Sequence, residues 1–217
     1  MIELKAAAAS QSRSPAPAFA GAGRFIWRGL TCSIALAAVS LTASAWVVQA
    51  HGNGLSYRDG PPPGFSSGFG EDHCQACHFG DKVNPSPGSL SISAPQRYHP
   101  GQTYAVTVTL ARPGMKIGGF QLTARFEEGG AQAGTLTLAA GDQDRLKVLT
   151  DRGVQYAYHL LPGTQLTAPD VVRWTLRWTA PAGSGSVLFN AAANAANADE
   201  SQFGDFVYTA WVRARGL

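Results

Sequence analysis

Five consecutive residues set the chemical question. Cys74-Gln75-Ala76-Cys77-His78 puts two thiols three positions apart and an imidazole directly after the second. This is the spacing of c-type haem attachment. Two thiols on one tight turn can add to the two vinyl groups along one porphyrin edge, and the next imidazole then falls under the iron. On this pattern Cys74 and Cys77 form thioether bonds to haem c, and His78 is the proximal iron ligand. Two other chemistries use the same side chains. Outside the cytoplasm a C-x-x-C pair closes into a disulfide. A zinc ion could take Cys74, Cys77 and two imidazoles, although the mature chain has no second cysteine pair and the imidazoles would have to come from far away.

A haem at this place needs a sixth ligand or leaves that position open. The candidates are His159, Met115, His99, His51 and His73. His73 adjoins Cys74 and can hardly reach the opposite face. Met115 lies in the turn Arg112-Pro113-Gly114-Met115, and His159 lies on an alternating run, Tyr156 to Leu160. His159 stands slightly ahead of Met115, and bis-imidazole ligation would give the lower potential. Two further metals have candidate donors. Cleavage after Ala50 would make His51 the first residue, whose amine and imidazole could chelate copper with help from His159 or His99. Asn194, Asn197, Asp199, Glu200 and Asp205 offer the hard oxygens that calcium takes. They lack EF-hand spacing, and Asn and Asp are ordinary turn residues. No Ser-His-Asp or paired-carboxylate signature for catalysis is present.

Something must hold that pentapeptide in place. Residues 51–88 are rich in Gly, Pro, Ser and Asn and show no apolar periodicity, which predicts an irregular loop. From Leu90 the pattern has period two. Tyr104, Val106, Val108 and Leu110 share one face of a strand. Phe120, Leu122, Ala124 and Phe126 share another, with Gln121, Thr123 and Arg125 opposite. Val172, Trp174, Leu176 and Trp178 alternate with Arg173, Thr175 and Arg177. Shorter runs fall at 135–138, 146–149, 154–160, 186–191 and 206–211. One-sided alternation is what antiparallel strands with one wet face require. Eight or nine such strands predict an all-β fold, an immunoglobulin-like antiparallel β-sandwich over 89–217. The haem loop would lie against its outer face, leaving the porphyrin substantially exposed.

The first fifty residues of the 217 read as an address. Arg24 and Arg28 precede an uncharged apolar stretch, Leu30 to Val48, and small residues offer cleavage after Ala45 or Ala50. That is the order of a secretory signal peptide; an uncleaved membrane anchor is the alternative. Cys32 would leave with the segment. Lys5, Arg13, Arg24 and Arg28 stand against Glu3 there, so the whole formal charge of +3 belongs to this segment. The remainder is balanced, which excludes nucleic acid as a partner on electrostatic grounds.

The strands also carry a family likeness. His99-Pro100-Gly101-Gln102-Thr103-Tyr104, Gly119 to Ala124, Trp178-Thr179-Ala180-Pro181, Asn194-Ala195-Ala196-Asn197 and Gly204 to Thr209 follow one another as in bacterial reeler-type domains. The chain resembles in particular the secreted choice-of-anchor V group over residues 62 to 211. Pro63-Gly64-Phe65 through His78 matches the Gly-rich C-x-x-C-H segment that often precedes the sandwich in that group. The resemblance implies an immunoglobulin-like sandwich in a periplasmic or secreted protein. Members often continue into a C-terminal sorting tail, whereas this sequence stops at Leu217.

Two classes of function are consistent with these residues. One is an exported monohaem electron-transfer or redox protein with a protein redox partner in the periplasm or at the cell surface. The other is a binding or adhesion module whose C-x-x-C is a structural disulfide. An oxidase or oxygenase would require an open position on iron or copper.

Overall fold

The computed structural model describes residues 59–217. The expected signal segment, its two cleavage sites and the copper candidate His51 lie outside the described residues. By its internal contacts the chain divides into Met1–Val48 and Gln49–Leu217, and the described residues all belong to the second unit.

Eleven strands occur among the described residues: β1 (Phe79–Gly80), β2 (Ser89–Ser93), β3 (Arg97–Tyr98), β4 (Thr103–Ala111), β5 (Ile117–Phe126), β6 (Thr135–Leu138), β7 (Leu146–Asp151), β8 (Val154–His159), β9 (Val171–Thr179), β10 (Val187–Ala196) and β11 (Phe203–Gly216). They form two sheets. The larger runs β1-β11-β10-β5-β8-β7, with β3 added to β11; the smaller runs β2-β4-β9-β6. Pairing is antiparallel except at the two-residue strands β1 and β3, which run parallel to β11. The protein is thus an all-β, immunoglobulin-like sandwich behind an irregular loop. All eight named alternating runs are strands, and β1, β2 and β3 add to them.

The core sits between the sheets, filled by the faces that alternation assigns to it. Val106, Val108, Leu110, Leu122, Ala124, Val172, Trp174, Leu176 and Trp178 are all fully buried. Trp174 stacks on Phe120 at 4.3 Å between centroids. Trp178 meets Tyr98 and Phe189 edge-on at 5.2 and 4.9 Å. Both indoles bury their N–H only because each finds a carbonyl: Gly163 O at 2.7 Å for Trp174 and Ala133 O at 2.9 Å for Trp178. Large rings fix the sheet spacing, and Phe120 carries that rigidity to the strand beneath the loop.

The outer faces differ. On the smaller sheet Arg173, Thr175 and Arg177 are exposed, as alternation predicts. On the larger sheet the expected wet face is dry: Gln121 is 1% and Thr123 0% exposed. Residues 59–78 lie over it. Phe65 N donates to Gln121 Oε1 at 2.6 Å, and Gln121 Nε2 donates to Pro62 O at 2.8 Å. Ser66 Oγ donates to Glu71 Oε2 at 2.6 Å and pairs with Thr123 Oγ1. Glu71 also accepts from Arg125 Nη1 at 2.8 Å and the Tyr156 hydroxyl at 2.6 Å. Burial, helped by the Glu71 carboxylate, pushes the Tyr156 phenol well above its usual range. A polar sheet face can be covered when each group finds a partner in the covering chain.

Candidate functional site

The pentapeptide turns back on itself. Cys74–Ala76 is a 3-10 turn, with Cys77 N and His78 N both donating to Cys74 O at 3.1 and 3.0 Å. His73 caps it, its Nδ1 accepting the Gln75 N–H at 3.3 Å. The chain then enters β1, which adds to β11 with Gly80 opposite Asp205. A Cβ on Gly80 would stand 1.8 Å from Asp205 O, so only glycine permits this approach. That contact delivers His78 to a partner 127 residues away. Its Nδ1–H donates to Asp205 Oδ2 at 2.7 Å. Asp205 is 1% exposed, and Asn194 Nδ2 donates to the same oxygen at 3.0 Å. A carboxylate only accepts, so the proton of neutral His78 sits on Nδ1 and Nε2 keeps its lone pair. Asn194 Oδ1 is buried with no partner among the described residues. Asn194 Nδ2 also lies 3.0 Å from His78 Nδ1; turned over, the amide would set Oδ1 equally close to that ring nitrogen and to the carboxylate oxygen, whose repulsion opposes the turn.

His159 ends β8. The β5–β8 ladder stops at Gln121–Tyr158, and the His159 ring replaces the next backbone partner. Its Nδ1 accepts the Phe120 N–H at 2.9 Å and lies 3.2 Å from Phe120 O. Gly119 makes room: a Cβ there would lie 2.5 Å from the His159 Cε1. Burial pushes the His159 imidazole down to about 4.

Cys74, Cys77, His78 and His159 line one cleft, together with Gly119, Asn194 and an apolar wall that includes Pro61, Phe65, Ile117 and Phe120. It encloses about 160 Å³, or about 760 Å³ with its open mouth. The other axial candidates are elsewhere. Met115 is 4% exposed within the hydrophobic core. His99 is exposed beyond β3, with its N–H on the Tyr104 hydroxyl. Neither lines the cleft.

The oxygen-rich stretch 194–205 divides between two tasks. Asn194 and Asp205 face His78. Asn197 and Asp199 bind one another and the backbone of a turn, with Asn197 Nδ2 to Asp199 Oδ2 at 2.9 Å and Asp199 N to Asn197 Oδ1 at 3.1 Å. Among the described residues no group of three or more His, Cys, Asp or Glu is placed to hold a bare metal ion. Sequence reasoning missed the role of Asn194 and Asp205 toward His78. One available signal was a lone amide inside the small apolar run Ala191 to Ala196.

The donor set fits a covalently held haem. Both thiols reach one cleft with His78, whose orientation and tautomer are fixed by a carboxylate, the arrangement usual for an imidazole that binds a metal. The two sulfurs are not bonded to one another and both cysteines are half-buried; desolvation pushes Cys74 up to about 12. At pH 8 the haem-free native chain is therefore expected to alkylate at Cys74 on the order of a hundred- to a thousandfold more slowly than the urea-unfolded chain. Peptide mass spectrometry after timed iodoacetamide pulses reads this; equal rates would show that the half-buried Cys74 thiol is not held protonated by the fold.

No protein-family model matches the chain, and no curated protein does. Among solved structures it is similar to the cohesin module of a family 33 glycoside hydrolase from Clostridium perfringens ATCC13124, at 11% identity over 60% of this chain and 98% of that one, TM-score 0.40. It is also similar to a non-cellulosomal cohesin from Archaeoglobus fulgidus, at 10% identity over 59% and 91%, TM-score 0.34.

Proposed function

We propose that the protein is an exported monohaem c-type redox protein, with Cys74 and Cys77 as thioether anchors and His78 as the proximal ligand. The observation that supports this is the convergence of both thiols and a carboxylate-oriented imidazole on one apolar cleft. When bound, haem supplies a one-electron couple at its iron. The chain's own residues do the rest. Asp205 and Asn194 hold the His78 ring, and Asp205 makes it more electron-rich, which favours the oxidised state. Ile117, Phe120 and Phe65 keep water from the cleft floor. The enclosed 160 Å³ is below the ~300–1,000 Å³ of pockets that surround a drug-sized ligand. A haem attached here is therefore exposed along part of its rim, where an electron can pass to a protein partner. Export is supported by the charged, apolar and small-residue order of residues 1–50. The reeler-type resemblance adds support, since in that group a C-x-x-C-H segment often precedes the sandwich.

The test is expression of the full chain in a host with c-type maturation. A Soret band that survives acid-acetone extraction, a mass gain of one haem and a thioether-type haemochrome spectrum are expected. Cys77→Ser should shift that spectrum towards a single thioether, and the double Cys74→Ser, Cys77→Ser chain should lose the covalent haem. A colourless mature protein would overturn the reading. The second reading, a binding module with a Cys74–Cys77 disulfide, is favoured by one observation. Phe79 and Phe203 are 44% and 67% exposed with centroids 5.6 Å apart, an apolar pair suited to a protein surface. It would give a colourless chain lighter by two hydrogens than the free thiol form.

A further inference from the structure

The protonation of His159 is fixed by its neighbour. A backbone N–H cannot give up its proton, and that of Phe120 points at His159 Nδ1 from 2.9 Å. A proton on Nδ1 would meet it head-on, so Nδ1 presents a lone pair. The other tautomer would have to donate to Phe120 O, the longer contact at 3.2 Å. In the neutral ring the proton is therefore on Nε2. That nitrogen has no protein partner among the described residues, and the ring lines the cleft with Cys74, Cys77 and His78. A ring flip would place carbon against the Phe120 N–H and leave a buried donor unpaired, at a cost of about 1–3 kcal/mol. Nε2–H donates hydrogen bonds; it cannot bind iron without losing that proton. Met115 is in the core and His73 caps its turn. Of the sixth-ligand candidates among the described residues, His159, Met115, His99 and His73, none presents a lone pair of an imidazole or thioether to the cleft; His51 lies outside the described residues.

From this geometry we infer that the haem iron keeps an open axial position for a diatomic ligand, and that His159 Nε2–H donates a hydrogen bond to it. The inference rests on the haem reading above and adds a ligand class to it. A diatomic bound end-on carries acceptor lone pairs on its outer atom. An N–H beside apolar side chains such as Ile117 and Phe120 recognises that atom, since a hydrogen bond is electrostatically stronger in low-dielectric surroundings.

Carbon monoxide is the probe, with the haem-loaded full chain, His159→Phe, and His159→Asn, which keeps an acceptor for the Phe120 N–H should the Phe variant not fold. The reduced wild type is expected to be five-coordinate and high-spin, and to bind one carbon monoxide. Its C–O stretch should lie below that of either variant, and carbon monoxide should leave the variants several-fold faster. Both variants should stay high-spin. A low-spin wild type that turns high-spin in His159→Phe would make His159 an axial ligand and overturn the inference. A low-spin state that persists in the variants would overturn it through a different ligand. Either result leaves the haem reading standing, whereas a chain without haem removes both. A second readout needs no haem: nitrogen NMR of the His159 ring should show the Nε2–H tautomer at neutral pH, and the Nδ1–H form would overturn the inference.

Discussion

Asp205→Ala is expected to lower the stability of the haem-free chain by about 2–3 kcal/mol, and Asp205→Asn by about 1 kcal/mol. The carboxylate accepts from His78 Nδ1, Asn194 Nδ2 and, at 3.4 Å, Asn197 N. Alanine leaves the Asn194 amide buried without an acceptor, the costly case. His78 is 38% exposed on its side chain, so its own N–H recovers water and adds little. Asparagine keeps one acceptor and loses the charge. Urea midpoints at unchanged m-value measure this; an unshifted midpoint for Asp205→Ala would show that the carboxylate holds nothing. On the haem reading the Asn variant has a second effect. With a neutral partner His78 is less electron-rich, so the midpoint potential should rise above that of the wild type, while carbon monoxide still binds. A merely structural Asp205 would alter the urea curve and leave the potential alone.

Acid should unfold this protein partly through one side chain. His159, held at about 4 in the fold, has an ordinary value near 6.5 when unfolded. Between those values the unfolded chain takes up a proton that the folded chain refuses. Its contribution is therefore fully present above about pH 7 and is lost as pH falls to about 4. The loss is on the order of 3 kcal/mol. His159→Asn keeps an acceptor for Phe120 N–H and removes the titration. Chemical denaturation of the haem-free protein at several pH values should give a flatter profile for the variant between pH 4 and 6.5. Superimposable slopes would show that the ring is not shielded. His73 and His99 are common to both proteins; His78, whose charge also acts on His159, is part of the difference that the profiles read.

The strands were legible because burial on one side imprints period two on the residues themselves. Val172 to Trp178 and Tyr104 to Leu110 need no tertiary knowledge to be read. The larger sheet's outer face was not legible. Gln121 and Thr123 look the same whether they face water or the polar groups of another segment, and here Pro62, Phe65 and Ser66 replace water. β1 and β3 were missed because two residues carry no period. His159 was found as a residue, but not the contact that bears on its tautomer. Its tautomer depends on the Phe120 N–H, which comes from another strand.

By themselves the residues determined the all-β class, the alternating core and the placement of two thiols and an imidazole within one turn. These are local properties, since side-chain type and spacing alone set what a strand face or a tight turn can do. Folding decided that His78 meets Asp205 and Asn194, that His159 joins the same cleft, and that Met115 does not. Those encounters span 127, 116 and 81 positions along the chain for the first three. They arise where β1 docks on β11 and the β5–β8 ladder breaks, and loop closure over such lengths depends on the packing of both sheets at once.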